Sequence, residues 1–320
     1  MQDDCALIAI NAKYIHSNLA VKYLNSHCKA NGLNTTIIEF NINDTIDRIL
    51  NDIFLTELNV LAFSCYIWNI EMILKICSSY KKIRPKSVII LGGPEVSYEA
   101  TELIGSYADF IVTGEGEITF CELLKYLKGE IKDISTIDGL VYKKDNKIMK
   151  GEKRKLIEDL NTIPFPYEEL SDYENKIIYY ETCRGCPFNC QYCLSSIERG
   201  VRFFPIERVF EEIDFFIENK VKQVKLVDRT FNCDKERCIS IMNYIIDKKG
   251  KTNFHFEISP ILIDKDFLST AAKAPKGVFQ FEIGIQSTNP DTLKFIKRNE
   301  PFDKIKDNII KLQSLGLSHI

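Results

Sequence analysis

Short β-branched runs alternate with amphipathic stretches through the first part of the chain. Five runs predict strands, at residues 6–10, 35–40, 60–64, 87–91 and 109–113. Between these runs, apolar residues recur at helical spacing, as at Ile70, Ile73 and Cys77. This alternation predicts an α/β domain with a doubly wound, Rossmann-like parallel sheet and crossover helices.

The second half of the chain repeats the same rhythm. Strands are predicted at residues 176–180, 223–227, 254–258 and 279–283. Helices are predicted at residues 206–217, 234–248 and 264–273, with a further helical stretch to about 315. Residues 317–320 have the pattern of a fifth strand that begins and does not finish. We expect a partial (β/α) barrel, whose site would lie at the carboxyl ends of its strands.

A less regular region separates the two halves. Residues 140–142 and 147–149 predict a hairpin about a polar turn, and residues 159–168 form a proline-bounded crossover. We therefore predict three parts: a first domain at 1–134, a hairpin and linker at 135–175, and a barrel at 176–320.

Composition narrows the classes of protein that fit. The chain has 320 residues, 45% of them hydrophobic, which suffices for two cores. A net charge of −3 gives no reason to expect nucleic acid, and no apolar run is long enough to span a membrane. Eleven cysteines without a secretory signal indicate a reducing compartment, so we expect a cytoplasmic protein.

Four of the cysteines fall within eleven residues: Cys183, Cys186, Cys190 and Cys193. Glycine, proline and asparagine separate them, which predicts an irregular loop. The last three have the spacing C-x3-C-x2-C, which suits a 4Fe-4S cluster with one iron open to a ligand. Cys183 as a fourth ligand, to zinc for example, is the alternative. A disulfide knot is disfavoured because the other cysteines are scattered.

With Tyr192 as the aromatic residue, this stretch resembles the C-x3-C-x-aromatic-C motif of the radical S-adenosylmethionine (radical SAM) superfamily. The resemblance implies that Cys186, Cys190 and Cys193 hold the cluster and that Tyr192 packs beside it. It also implies that S-adenosylmethionine chelates the open iron and is reductively cleaved to a 5'-deoxyadenosyl radical. A reductant such as flavodoxin or ferredoxin would supply the electron.

Polar residues near the ends of the barrel strands are candidates for holding S-adenosylmethionine, if the resemblance holds. They are Asp228, Glu257, Glu282, Gln286 and Arg298, together with Ser259 and Ser287. Asp228 stands where related enzymes carry a glycine-rich segment. Arg298 would pair with the methionine carboxylate through its planar fork, or would instead cap the end of a helix.

Small residues follow the strands of the first domain, where ligands of doubly wound sheets bind. They are Ser64, Gly92, Gly93, Gly114 and Gly116. These loops resemble the groove of the cobalamin-binding domain over residues 5–128. That family's D-x-H-x-x-G motif is absent, because the corresponding stretch ends at His16, which is out of place. We expect cobalamin without a histidine ligand from this loop; a vestigial scaffold is the alternative.

The order of the two domains resembles the cobalamin-dependent branch of the radical SAM superfamily. This resemblance implies an enzyme that methylates or rearranges a small molecule or peptide. Methylthiotransferase chemistry is one alternative, although Cys5, Cys28 and Cys65 do not form the extra cluster motif of that family. A non-catalytic module binding zinc or cobalamin is another. Because the barrels of this superfamily have six strands, we expect the chain to be truncated.

Overall fold

A computed structural model describes residues 4–98, 101–170, 173–197, 200–298, 300–316 and 318–319. The chain divides into two compact units. The first contains residues 1–158 and 162–169, and the second contains residues 159–161 and 170–320. No helix in the described ranges is long and apolar enough to cross a membrane.

The first unit is built on a seven-stranded sheet within the described residues. Its strands are β1 (Cys5–Asn11), β2 (Thr35–Asn41), β3 (Val60–Ser64), β4 (Val88–Gly92), β5 (Phe110–Val112), β6 (Leu140–Lys144) and β7 (Lys147–Lys150). Their order is β2-β1-β3-β4-β5-β6-β7, and the first five are parallel. From β1 the chain adds β2 on one side, and it adds β3, β4 and β5 on the other. This reversal of the strand order confirms the doubly wound fold.

Both faces of this sheet are covered by helices. The helices are α1 (Leu19–Ala30), α2 (Ile46–Leu55), α3 (Ile70–Ile83) and α4 (Gly116–Leu127). Alternate residues of β1 point to opposite sides, so Ile8 and Ile10 join the core under α2 and α3. Leu7 and Ala9 join the core under α1 and α4. Because both faces are buried, β1 is apolar from Cys5 to Ile10 instead of alternating, and only its last residue, Asn11, is polar.

The predicted hairpin is present, but it belongs to the first domain and not to a separate linker. β6 pairs antiparallel with β5, so the hairpin extends the first sheet and is not part of a separate bridge at 135–175. The inward side chains of Leu140 and Tyr142 are buried in the first unit's core, which explains the attachment. The structure therefore changes from one unit to the other at about residues 158–170.

The second unit contains a five-stranded parallel sheet and a two-stranded ribbon. The strands are β8 (Ile178–Tyr180), β9 (Cys183–Cys186), β10 (Gly200–Phe203), β11 (Gln223–Leu226), β12 (Asn253–Ile258), β13 (Phe279–Ile283) and β14 (Ser318–His319). The sheet order is β14-β13-β12-β11-β8, and β9 pairs antiparallel with β10. Of the predicted fifth strand, Leu317 and Ile320 lie outside the described residues.

Helices cover one face of this sheet. The helices described in this unit are α5 (Ile206–Glu218), α6 (Lys235–Asp247), α7 (Lys265–Ala271), α8 (Pro290–Phe295) and α9 (Phe302–Ser314). The covered face is aromatic: Phe256, Phe279 and Phe281 are buried, and Phe267 of α7 packs on Phe281. The opposite face carries polar residues. This arrangement of parallel strands and outer helices confirms the predicted partial barrel.

Candidate functional site

The cysteine-rich stretch is more ordered at its start than the predicted irregular loop. Cys183–Cys186 form β9, and Cys186 pairs with Gly200 of β10. Gly185 has φ of +99°, and a β-carbon there would overlap the carbonyl oxygen of Gly200. The close approach of the two strands therefore requires glycine at position 185.

A pair of glycine substitutions should separate the effect of crowding from that of backbone strain. Gly200 also has a positive φ, of +96°, but a β-carbon there would have no atom within 4 Å. We expect Gly185→Ala to destabilise the second unit by about 1–3 kcal/mol and to lower iron retention, because the ribbon must open. Gly200→Ala carries only the strain and should lose less of both. Equal losses in urea unfolding and iron content would contradict this account.

Asp228 anchors the start of this stretch from the end of β11. Its Oδ1 accepts hydrogen bonds from the backbone nitrogens of Thr182 at 2.6 Å and Cys183 at 3.2 Å. Its Oδ2 accepts one from the Thr182 hydroxyl at 2.5 Å. Burial raises the pKa of this carboxyl to about 6, although these hydrogen bonds oppose the rise. With 1% of its surface exposed, Asp228 supports the cysteine stretch in this structure, and its predicted contact with S-adenosylmethionine stays a prediction.

The three predicted ligand cysteines lie beyond this anchor. Cys190 is buried, and Cys186 and Cys193 are half-buried. The Sγ atom of Cys186 lies 3.5 Å from the Thr230 hydroxyl, just after β11. Within the described residues, no three His, Cys, Asp or Glu side chains are already gathered as a metal site. The donor set still fits an iron-sulfur cluster, since three free thiols lie within eight residues of a loop that is held in place.

Cys183 is oriented differently from the other three. It is buried, and its thiol is hydrogen-bonded to the thiol of Cys233, which raises the pKa of Cys183 and lowers that of Cys233. Asp228 fixes its backbone nitrogen. These contacts give Cys183 a packing role at the base of the loop.

The far side of the loop rests on residues that follow β13. The backbone nitrogen of Gln191 donates to the carbonyl of Ile296 at 3.1 Å. The Nη1 atom of Arg298 lies 3.4 Å from the Tyr192 hydroxyl and 3.3 Å from the carbonyl oxygen of Gly284, and donates to both. The structure thus brings together Tyr192 and Arg298, which the sequence predicts as members of one site.

Two other predicted residues lie at the carboxyl end of this sheet. Gln286 is exposed after β13 with φ of +69°, a conformation that costs energy for a residue with a β-carbon. Ser259 follows β12, where Asn232 holds its backbone nitrogen at 2.9 Å and its carbonyl oxygen at 3.0 Å. The Ser259 hydroxyl is buried without a partner among the described residues. An unsatisfied hydroxyl at the sheet's edge fits a polar ligand such as S-adenosylmethionine.

Glu257 and Glu282 lie on the polar face of the sheet, next to residues that were not predicted. Lys225 Nζ lies 2.7 Å from Glu282 Oε2 and 3.6 Å from Glu257 Oε1. His255 Nε2 lies 3.2 Å from the same Glu282 oxygen. The signal that could have found Lys225 and His255 is the alternation of polar and aromatic residues along β11 and β12.

The predicted small residues of the first unit lie at the carboxyl edge of its sheet. Asn69 Nδ2 joins the ends of two strands by donating to the carbonyls of Ile10 and Ser64, both at 3.0 Å. The Ser64 hydroxyl is buried and accepts from Asn18 at 3.1 Å. A β-carbon on Gly93 would lie 2.5 Å from the Cys65 carbonyl oxygen, so Gly92-Gly93 lets the loops after β3 and β4 touch.

The remaining glycines of this edge differ in their surroundings. Gly114 has φ of +72° and open space where a β-carbon would be, whereas Gly116 packs on Leu24 at the start of α4. Large apolar side chains are exposed on the neighbouring loops: Tyr14, Ile67, Trp68 and Tyr98. An open glycine and exposed aromatic side chains on loops at the same edge of the sheet fit a broad, largely apolar ring such as that of cobalamin.

The comparisons with known proteins agree with both halves of this arrangement. A family model for the radical SAM superfamily matches residues 180–320, and one for the B12 binding domain matches residues 6–124. The second unit therefore belongs to the radical SAM superfamily. The chain therefore combines a B12 binding domain with a radical SAM domain.

Two curated relatives cover about three quarters of this chain. An uncharacterised methyltransferase, PH0819 of Pyrococcus horikoshii, is 32% identical over 251 residues, which is 74% of this chain and 53% of the relative. The cobalamin-dependent radical SAM methyltransferase TokK of Streptomyces tokunonensis is 27% identical, over 76% of this chain and 38% of the relative. The chain thus spans about two fifths to one half of the length of these relatives.

The fold is also found among solved structures. The cobalamin-dependent S-adenosylmethionine radical enzyme OxsB, with aqua-cobalamin and S-adenosylmethionine bound, superposes with a TM-score of 0.82. The match covers 98% of this chain and 48% of OxsB at 17% sequence identity. At that identity, the likeness establishes the fold.

Proposed function

We propose that this chain is the cobalamin-binding and cluster-binding part of a radical SAM enzyme that transfers a methyl group to a substrate. The observation that carries the proposal is the loop with Cys186, Cys190 and Cys193. It stands at the carboxyl end of a parallel sheet, anchored on one side by Asp228 and on the other by Ile296. TokK, which is named as a methyltransferase of this type, supports methyl transfer over rearrangement.

The residues of the cluster site in the second unit have different roles. The three thiols would hold a 4Fe-4S cluster, which when bound would supply one electron to S-adenosylmethionine. Arg298 donates a hydrogen bond to the hydroxyl of Tyr192, which is part of the loop. Ser259 and Gln286 offer polar groups to the nucleoside at the ends of β12 and β13, and Asp228 keeps the loop from moving.

The first unit would hold cobalamin at the carboxyl edge of its sheet, next to the ends of β1 and β3. At this point the connections from the two strands lead to opposite sides of the sheet. Gly114 leaves room for the ligand, and the exposed Trp68 and Tyr98 provide apolar surface. Asn11 Nδ2 donates to the backbone oxygen of His16 at 3.1 Å, which fixes the loop after β1. We propose, as the sequence predicts, that this loop gives no histidine to cobalt.

Two alternatives receive less support from the geometry. A methylthiotransferase would need a second group of three cysteines, and Cys5, Cys28 and Cys65 are each fully buried in the first unit's cores. A zinc module would need Cys183 as the fourth ligand, but the thiol of Cys183 is hydrogen-bonded to the thiol of Cys233.

Anaerobic reconstitution tests the proposal. Protein supplied with iron, sulfide and hydroxocobalamin should retain corrin absorption bands after gel filtration. Addition of dithionite and S-adenosylmethionine should then release 5'-deoxyadenosine. A tightly held zinc ion with no iron would contradict the cluster, and loss of the corrin bands would contradict cobalamin binding. We propose a cytoplasmic setting with a small electron-transfer protein, such as flavodoxin or ferredoxin, as reductant.

A further inference from the structure

The polar face of the second sheet carries a cluster of charged side chains that the proposed chemistry does not use. The cluster consists of Lys225 on β11, His255 and Glu257 on β12, and Glu282 on β13. Backbone register places Lys225 opposite His255 and Glu257 opposite Glu282. Four groups from three neighbouring strands therefore face the same space.

The cluster contains two carboxylates, which accept hydrogen bonds, but only one ammonium to donate to them. The single ammonium of Lys225 is placed 2.7 Å from Glu282 and only 3.6 Å from Glu257. Both contacts of Glu282 use Oε2, which leaves Oε1 without a partner in the described part of the chain. The carboxylates remain accessible, with 28% of the Glu257 side chain and 40% of the Glu282 side chain exposed.

The neighbouring charged and titratable groups do not change this balance. Tyr179 on β8 pairs in register with Lys225, and its phenol is neutral at physiological pH because burial raises its pKa. Arg229 acts on Glu257 electrostatically, but its side chain belongs to an exposed residue beyond β11. Burial and Lys225 lower the pKa of His255 against the opposing effect of Glu282, which favours the neutral imidazole. Two carboxylates thus face one ammonium in direct contact.

His255 gives an independent indication of a ligand-binding position. Its side chain is 7% exposed, and its Nε2 atom is buried without a well-aligned hydrogen bond, although Glu282 lies 3.2 Å away. A buried ring nitrogen without an aligned partner costs free energy unless a ligand satisfies it. The nitrogen and both carboxylates lie on the same face of the sheet.

We propose that Glu257, Glu282 and His255 form a subsite for a primary ammonium group of the substrate. An ammonium has three donors. The free oxygens of the two carboxylates would accept two of them, and Nε2 of His255, in the tautomer with its proton on Nδ1, would accept the third. The inference rests on the proposed function, because it assigns the substrate's chemical class. S-adenosylmethionine also carries an ammonium, so the experiment must separate the two sources.

Histidine NMR offers a direct probe, since the chain contains only four histidines. The reconstituted protein with an oxidised cluster is labelled at histidine Cε1, and a His255→Gln variant assigns the His255 signal. Titration with n-butylammonium should shift this signal in a saturable way, whereas n-butanol, the neutral analogue, should not. Equal responses to the two compounds would overturn the proposal.

Two variants that should change the affinity for n-butylammonium in opposite directions strengthen the test. Glu257→Gln should weaken n-butylammonium binding about tenfold or more, because a charged hydrogen bond is lost. Glu211→Gln, at an exposed position on α5, is the matched control and should bind like the parent protein. Lys225→Gln removes the competing cation and should tighten binding. Weaker binding by Lys225→Gln, or unchanged binding by Glu257→Gln, would refute the subsite.

A final arm distinguishes the substrate from S-adenosylmethionine. With S-adenosylmethionine already saturating, n-butylammonium should still shift the His255 signal. If S-adenosylmethionine alone shifts the signal and abolishes the response to n-butylammonium, the assignment to the substrate fails. The proposed function is judged separately from 5'-deoxyadenosine release, so absence of that product with ammonium binding intact would refute the proposed function alone.

Discussion

Replacing Cys190 with alanine is expected to abolish the reducible 4Fe-4S signal and the formation of 5'-deoxyadenosine, while the fold is retained. The physical reason is the ligand count, because a loop with two remaining thiols cannot complete a site that takes three from the protein. Cys190 is buried at 8% exposure, and loss of its sulfur removes only a small side-chain volume. Iron content, electron paramagnetic resonance after dithionite reduction and far-UV circular dichroism would measure the three outcomes.

Cys183→Ala is the matched control for this experiment. It removes a buried thiol only seven residues from Cys190, and this thiol is hydrogen-bonded to the thiol of Cys233. We expect this variant to keep its iron and its reducible signal. If Cys183→Ala loses the metal as completely as Cys190→Ala does, the site uses four cysteines and the open iron of the proposed mechanism does not exist. A normal cluster in Cys190→Ala would equally refute the ligand assignment.

The strand pattern of both units could be predicted because their buried strands are short, β-branched or aromatic runs. The predicted strand at 60–64 matches β3, and most of the other predicted strands differ from the observed ones by one or two residues at their ends. The place of the hairpin at β6 and β7 could not be predicted. A hairpin sequence specifies its turn and local pairing, whereas the edge that it joins depends on burial of Leu140 and Tyr142 against the first core.

The site was predicted unevenly for a similar reason. Spacing along the chain nominates the three cysteines, and the segment downstream of β13 nominates Arg298, and both assignments stay predictions. The function of Asp228 depends on a contact with Thr182, which is 46 residues earlier, and no local pattern indicates such a contact. Lys225 and His255 were missed because each looks like an ordinary polar strand residue until the register of β11 and β12 places them together.

Asp228→Ala is expected to destabilise the second unit by about 2–5 kcal/mol, because two buried backbone nitrogens and one hydroxyl lose their acceptor. Asp228→Asn should be close to neutral. Its carbonyl oxygen can accept from Thr182 and Cys183, and its amide can donate to the Thr182 hydroxyl. Urea unfolding followed by far-UV circular dichroism measures the difference. The only tryptophan, Trp68, lies in the first unit, so its fluorescence reports that unit separately.

The pH dependence of the same variants distinguishes a buried carboxyl from an ordinary surface acid. The pKa of Asp228 is about 6 in the folded protein and near 3.9 in an unfolded chain, so the folded state binds this proton more tightly. Its contribution to stability is therefore complete below about pH 4 and is lost as the pH rises through about 6. The stability of the parent protein minus that of Asp228→Asn should fall across this interval and level off above it. A difference that rises with pH would mean that the three hydrogen bonds to the carboxylate outweigh the cost of burying its charge, which would contradict the raised pKa.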